Sequence, residues 1–137
     1  MIRPVAARWL FVVAVAVTAL ACDRIDAVPL QRINTDPMAH IELSSGILVR
    51  RTEQQAARVL GKPRRAQVLQ VFTARNGITL ENIQAEAESR ASASGWRLSR
   101  RAAGLVEARR TIDGVPIELS IYRNGSTPEL VILLRQQ

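Results

Sequence analysis

The stretch LVEARRTIDGVPIELSIY, residues 105–122, decides the fold, because it reads as two β-strands joined by a two-residue turn. Asp113-Gly114 is a typical hairpin dipeptide, since both residues tolerate the positive φ that a type I′ turn requires. The register that follows places apolar residues opposite one another on one face: Ile112 and Val115, Ala108 and Leu119, Val106 and Ile121. The stretch therefore predicts an antiparallel hairpin with one buried face.

The other face of this hairpin is predicted to be solvated. It pairs Arg109 with Glu118 across the two strands, and opposite charges in directly opposed positions stabilise a sheet. Arg110 is the one misfit, because it falls on the apolar face beside Ile117. We expect its long side chain to carry the charge to the margin of the core.

Three further segments around the hairpin are rich in strand-forming residues, namely 46–51, 66–74 and 129–136. The last of them is apolar on both faces between Leu130 and Leu134, so it is either a central strand or exposes Val131 and Leu133. An uncovered apolar patch indicates a partner. Val131 and Leu133, with Tyr122 on the preceding strand, are therefore a candidate protein interface on the open face of the sheet.

Two helices are predicted. The main one covers about residues 79–94, with Thr79 as N-cap, Gly95 as its stop and one apolar stripe at helical spacing. A short one is predicted near 53–60, because Thr52 and Gln55 form a capping-box pattern. The sequence thus predicts an α+β fold: an antiparallel sheet of about four to six strands, with the main helix packed on one face.

The first 21 residues have the parts of a secretory signal peptide. Arg3 and Arg8 give a positive start, and the uncharged apolar run of residues 9–21 is too short for a typical membrane span. Small residues at Ala19 and Ala21 suit the narrow cleft of a signal peptidase. We therefore expect residues 1–21 to be removed on export.

The end of this leader, TALAC, resembles the lipobox of bacterial lipoproteins, in which a short apolar and small triplet precedes a cysteine. The resemblance implies cleavage between Ala21 and Cys22 and acylation of Cys22, which then anchors the protein in a membrane. The family prefers leucine three positions before the cysteine, whereas Leu20 stands one place later. Ordinary secretion with a free Cys22 and an uncleaved anchor are the alternatives.

Residues 22–46 are predicted to be a lipid-anchored tether, and residues 47–137 a single α+β domain. The tether prediction depends on Pro29 and Pro37, which interrupt a regular helix, and on the absence of a sustained apolar period. The only histidine, His40, lies in this segment without an obvious catalytic or metal-binding companion.

Residues 52–63 also resemble the first helix of the small outer-membrane assembly lipoproteins of the SmpA/OmlA type. The matching residues are Thr52, Gln54, Gln55, Leu60, Gly61 and Pro63. That family continues into a three-stranded sheet, whereas a second helix is predicted to follow here. The resemblance is therefore local, and it implies no ligand or reaction.

The formal charge is +7, or +5 once Arg3 and Arg8 of the leader are set aside. Arginines at Arg50, Arg64, Arg65 and Arg101 are candidate anion-binding residues, since guanidinium groups suit phosphate and carboxylate. Nucleic acid is not expected as a partner of an exported protein. Gly-rich phosphate loops, metal-ligand spacings and nucleophile motifs are lacking, so we predict no enzyme, cofactor or metal.

Three functions follow as hypotheses. The first is a non-enzymatic extracytoplasmic lipoprotein of a bacterial cell envelope, at its periplasmic face or outer surface, that binds an envelope protein through its open sheet face. The second is a basic module that binds anionic lipid or cell-wall polymer. The third is a secreted soluble small domain without an anchor.

Overall fold

A computed structural model describes residues 24–137. The predicted signal peptide, the cleavage site at Ala21 and the predicted lipidation site Cys22 lie outside these residues. Within them, the α+β fold predicted from the sequence is confirmed. No helix in the described part of the chain is long and apolar enough to span a membrane.

Two sheets and two α-helices make up the described chain. The helices are α1 (Val28–Asn34) and α2 (Leu80–Ala93), with a 3₁₀ helix at Pro37–His40. The strands, in chain order, are β1 (Arg24–Asp26), β2 (Gly46–Gln54), β3 (Ala56–Val59), β4 (Lys62–Arg64), β5 (Gln67–Ala74), β6 (Ser99–Ala102), β7 (Leu105–Ile112), β8 (Val115–Asn124) and β9 (Glu129–Gln136).

The main sheet has six antiparallel strands in the order β2-β5-β9-β8-β7-β6. The hairpin predicted from residues 105–122 forms β7 and β8, with Arg109 opposite Glu118 as expected. Its turn has positive φ at both Asp113 and Gly114, as a type I′ turn requires. The doubly apolar segment forms β9, which is central in the sheet.

Helix α2 begins at an N-cap, where the Thr79 side chain accepts a hydrogen bond from the Asn82 backbone N–H. It buries a narrow stripe of small and apolar residues against one face of the sheet: Ile83, Ala87 and Ala91 are 0% exposed. Alanines let the helix axis approach the sheet closely. Facing them from the sheet are fully buried side chains, including Ile117, Leu119, Leu130 and Ile132.

The short helix predicted near 53–60 is wrong. Residues 46–54 form β2, and residues 56–64 form the β3–β4 hairpin, whose turn is Leu60-Gly61. Val59 pairs with Lys62 across this turn, and both turn residues have positive φ. Gly61 therefore completes a hairpin turn and does not end a helix. The helix on which the local resemblance to SmpA/OmlA-type lipoproteins rests is not formed.

The small second sheet has three strands in the order β1-β3-β4. Its middle strand β3 pairs with β1 through Ile25 and Ala57, and with β4 through Ala57 and Arg64. One residue of β3, Ala56, is 7% exposed and belongs to the core cluster. The small sheet therefore rests on the body of the protein through one face.

The tether prediction is wrong for residues 28–43, which fold into the domain. Ile33 and Ala39 are 0% exposed and Met38 is 1% exposed, all within the same core cluster as helix α2. The two prolines do not interrupt helices but stand at their starts, where the missing N–H is not needed. The domain thus extends toward the N-terminus beyond the predicted boundary at residue 47.

Candidate functional site

The main sheet has one face under the helices and one face that we call the open face. The open face carries the residues that alternate with the core residues along each strand. At its centre Val131 lies between Val71 and Tyr122, and Leu133 lies between Leu69 and Ser120. Val71 and Val131 are outside the core cluster that includes both helices. The open face therefore has an apolar centre formed by β5, β9 and β8.

The apolar centre is only partly accessible to solvent. Val71 and Val131 are 2% and 6% exposed, because neighbouring side chains on the same face shield them. Leu69, Leu133 and Tyr122 are half-buried. The three residues predicted as an interface, Val131, Leu133 and Tyr122, are thus brought together on one face. Its accessible apolar surface comes from Leu69, Leu133 and Tyr122.

Charged residues form a rim beside this centre. The Glu118 carboxylate lies 3.2 Å from Arg109 Nε and 3.4 Å from Arg135 Nη2. Arg101 Nε donates to Glu107 Oε2 at 3.2 Å. A shallow depression of about 420 Å³ opens between the rim and the centre, lined by residues that include Leu105, Glu118, Ser120, Tyr122 and Arg135. An apolar centre with a polar rim is the usual anatomy of a protein-binding surface.

The four predicted anion-binding arginines are not brought together. Arg50 lies on the edge strand β2 and Arg101 on the opposite edge strand β6, where it pairs with Glu107. Arg64 and Arg65 lie at the small sheet. The predicted set therefore does not make one basic surface.

A different basic cluster surrounds the small sheet. A surface depression there is lined by Arg24, Arg58, Arg64 and Arg65, with Asp26 as the acidic residue among its lining. Arg24 and Arg58 are directly opposite each other across β1 and β3. Arg24 and Arg58 were not among the predicted residues, because the sequence patterns indicated a tether at Arg24 and a helix at Arg58. The signal was the presence of four basic residues and no acidic one between residues 55 and 66.

Trp96, Arg110 and Asp36 form a buried polar network at the edge of the core. Asp36 Oδ1 accepts hydrogen bonds from Trp96 Nε1 at 3.2 Å and from the Met38 backbone N–H at 2.8 Å. Arg110 pairs with Asp36 and also donates to the Ser94 carbonyl oxygen at 2.8 Å. Every member has a partner inside the protein, so this network is structural and offers no acid–base pair to a ligand.

Glu86 on α2 forms a second internal network, with the backbone and side chains of Ser44 and Ser45. Its Oε1 accepts from the Ser44 backbone N–H at 2.6 Å, and its Oε2 accepts from that of Ser45 at 3.0 Å. Both serine hydroxyls donate to it as well. Burial raises the pKa of Glu86, but these hydrogen bonds from Ser45 and Ser44 outweigh it and lower the pKa to about 2. Near neutral pH Glu86 is therefore ionised and accepts hydrogen bonds from both serines.

His40 is exposed on the 3₁₀ helix. Within residues 24–137, no three histidine, cysteine, aspartate or glutamate side chains are grouped as a metal site would require. Among the described residues, the open face and the basic cluster at the small sheet are the two surfaces that group predicted binding residues.

Comparison with known proteins gives no further guide: no protein-family model matches the chain, and neither curated proteins nor solved structures show a significant match.

Proposed function

We propose that this protein is a non-enzymatic extracytoplasmic lipoprotein of a bacterial cell envelope that binds a protein partner through the open face. The observation that carries the proposal is the apolar centre of β5, β9 and β8, bordered by the ion pairs of Glu118 and Glu107. Accessible apolar side chains ringed by polar ones favour a protein surface over a small ligand or a reaction.

The anchor in this proposal is Cys22, acylated after cleavage at Ala21. What supports it is the lipobox-like end of the leader. Two acyl chains hold a protein firmly in a bilayer, whereas one does not. The mass of the mature N-terminal peptide tests this directly. A diacylated Cys22 is expected; a free Cys22 would favour the secreted soluble domain, and an intact leader would favour an uncleaved anchor.

Photo-crosslinking in living cells tests the partner. A photoreactive residue at Leu133 or Tyr122 reports on the open face, and one at Ala85 or Ser89 reports on the exposed side of α2. We expect the same discrete adduct from both open-face positions and none from α2. Leu133→Asp should abolish the adduct formed at Tyr122. Equal adducts from the two surfaces, or an adduct that survives Leu133→Asp, would remove the open face as the binding site.

Val131→Asp is a poorer test than Leu133→Asp, because Val131 is only 6% exposed. A buried unpaired carboxylate destabilises the fold and would weaken binding for that reason alone. Leu133 is half-buried, so an aspartate there reaches water.

A second function, a basic module that binds an anionic surface, is favoured by one specific observation. The cluster of Arg24, Arg58, Arg64 and Arg65 contains a directly opposed pair of like charges in Arg24 and Arg58. Like charges in opposed positions destabilise a sheet. An anion bound between Arg24 and Arg58 would offset this repulsion. Sedimentation with anionic vesicles or with cell-wall polymer tests it, and binding that is insensitive to salt would reject it.

A further inference from the structure

The β3–β4 hairpin, residues 56–64, presents the most exposed large apolar side chain of the described chain at its tip. Leu60 is 83% exposed, and Ile25, on the neighbouring strand β1, is 75% exposed. A single exposed apolar side chain is ordinary on a protein surface, whereas an apolar patch marks an interaction site. Leu60 is therefore considered together with its neighbours on the small sheet.

The register shows which face of the small sheet points outward. Ile25, Ala57 and Arg64 are directly opposed across the three strands, and Val59 is opposed to Lys62, so these five residues share a face. The other face contains Ala56, which is buried against the core. The outward face therefore combines apolar side chains with the cations Lys62 and Arg64, and Leu60 stands at its end.

The cations around Leu60 have no counterions in the described residues. None of the ion pairs within residues 24–137 includes Arg58, Lys62 or Arg64. On the main sheet, by contrast, Arg100, Arg101 and Arg109 are all paired with glutamates. A partner with negative charge next to an apolar interior complements this surface.

The backbone at the tip supports a specific role for Leu60. Its φ is +50°, a conformation that side chains other than those of Gly, Asn and Asp rarely adopt. The equivalent position of the β7–β8 turn is occupied by Asp113, which tolerates φ +45° better. A strained, exposed leucine between cations is the kind of outlier that points to a function.

The position of the hairpin in the chain identifies the partner. Strand β1, which pairs with β3, begins at Arg24, and the predicted lipidation site is Cys22. Two residues of chain reach at most about 7 Å. Whether the anchor is an acylated Cys22 or the apolar run of residues 9–21, the chain meets the membrane beside the small sheet.

We propose that the β3–β4 hairpin docks on the anionic bilayer to which the chain is anchored, with Leu60 inserted among the lipids and Lys62 and Arg64 against the headgroup phosphates. This inference rests on the anchor of the proposed function. Apolar insertion and attraction to anionic lipid act together in such contacts. Docking would fix the orientation of the domain and leave the far end of the main sheet pointing away from the membrane.

A fluorescent label that reports on polarity tests the contact in the full chain. Cys22 is the only cysteine, and an acylated thiol does not react with an iodoacetamide dye. Leu60→Cys therefore introduces the single reactive site, and Ser126→Cys in the β8–β9 turn, at the opposite end of the main sheet, is the matched control. Each labelled protein is reconstituted in phosphatidylcholine vesicles with or without phosphatidylglycerol.

We expect the label at residue 60 to shift to the blue on vesicles with phosphatidylglycerol and to return in high salt. The label at residue 126 should stay in water throughout. No shift at residue 60, or equal shifts at both positions, would overturn the proposal. Two dyes per chain would show a free Cys22 and so reject the lipid anchor. The same labels in a Cys22→Ser protein, which has no lipid anchor, then test whether the hairpin binds by itself. The measurement is again the blue shift of the label at residue 60 on vesicles with phosphatidylglycerol.

Charge reversal supplies an independent readout. Lys62→Glu with Arg64→Glu should weaken the phosphatidylglycerol-dependent shift at residue 60, so that at least about tenfold more lipid is required. Arg75→Glu with Arg97→Glu makes the same change in net charge at exposed positions outside the small sheet. If both pairs weaken the shift equally, the attraction is a property of the net charge, and the hairpin is not the contact.

Discussion

The guanidinium of Arg110 lies 4.4 Å from the centre of the Trp96 ring. It is also ion-paired with Asp36, whose side chain is fully buried. The arrangement joins β7, the segment after α2 and the 3₁₀ helix, which are distant in sequence. It explains both the charged residue on the apolar face of the hairpin and the buried tryptophan after the helix. Arg110 covers one face of the Trp96 ring.

We predict that Arg110→Ala lowers the free energy of unfolding by about 3 kcal/mol, because it leaves the buried Asp36 carboxylate without its cation. This is the lower end of the range for a broken buried pair, since the Arg110 side chain is 30% exposed. Arg109→Ala is the matched control. Arg109 is 65% exposed and its pair with Glu118 contributes less than about 1 kcal/mol. Urea unfolding distinguishes the two, and equal losses would contradict the structural role of the pair.

The pH dependence of stability should report on Glu86. Its pKa falls from 4.5 to about 2 on folding because the Ser45 and Ser44 hydrogen bonds outweigh the effect of burial. The stabilisation is therefore complete above pH 4.5 and is lost as the pH falls toward 2, by no more than about 3 kcal/mol. Glu86→Gln should be less stable than the parent at pH 6, and the difference should shrink steadily between pH 4.5 and 2.

Two controls accompany this measurement. The pKa of Glu53 is lowered chiefly by a hydrogen bond from the Arg51 side chain, and that of Glu81 by a hydrogen bond from its own backbone. Both residues are present in the parent and in Glu86→Gln, so their contributions to the pH dependence cancel in the difference between the two proteins. Glu88→Gln removes one ion pair, to Arg100, from the same helix. A Glu86→Gln difference that does not change with pH would rule out the proposed cause.

Leu60 and Asp113 occupy the corresponding positive-φ position in the turns of two hairpins, so the effect of side-chain type can be tested at both. Leu60→Asn should raise the free energy of unfolding by up to about 1 kcal/mol, because asparagine tolerates the positive φ at the tip of the β3–β4 hairpin. Asp113→Leu should lower it by a similar amount at the corresponding position of the β7–β8 turn. Thermal unfolding measures both. A Leu60→Asn protein that is less stable than the parent would contradict the strain assigned to the positive φ of Leu60.

The sequence predicted the main sheet well because its signals are local. Asp113-Gly114 fixed the register of β7 and β8, and the period of Ile83, Ala87 and Ala91 fixed the buried side of α2. The β3–β4 hairpin was missed because a Thr-x-x-Gln pattern and a following glycine suit a helix and a strand–turn–strand equally. Strand formation there depends on pairing with β1, a contact that no local pattern contains.

The candidate sites were predicted unevenly for the same reason. Val131, Leu133 and Tyr122 share a face because strand alternation is local and reliable. The basic cluster could not be predicted, since it requires Arg24 to meet Arg58 across two strands that were not recognised. The partner of Arg110 was hidden likewise, because Asp36 lies 74 residues away in the segment interpreted as a tether.

That segment provides the last prediction. Ile33 on α1 is 0% exposed in the core. Ile33→Ala should therefore lower the free energy of unfolding by about 2–5 kcal/mol, as a deleted core side chain does. Gln31→Ala on the exposed side of the same helix should change it by less than about 0.5 kcal/mol. A tether that hangs free of the domain would tolerate both substitutions equally, so equal results in urea unfolding would restore the predicted boundary at residue 47.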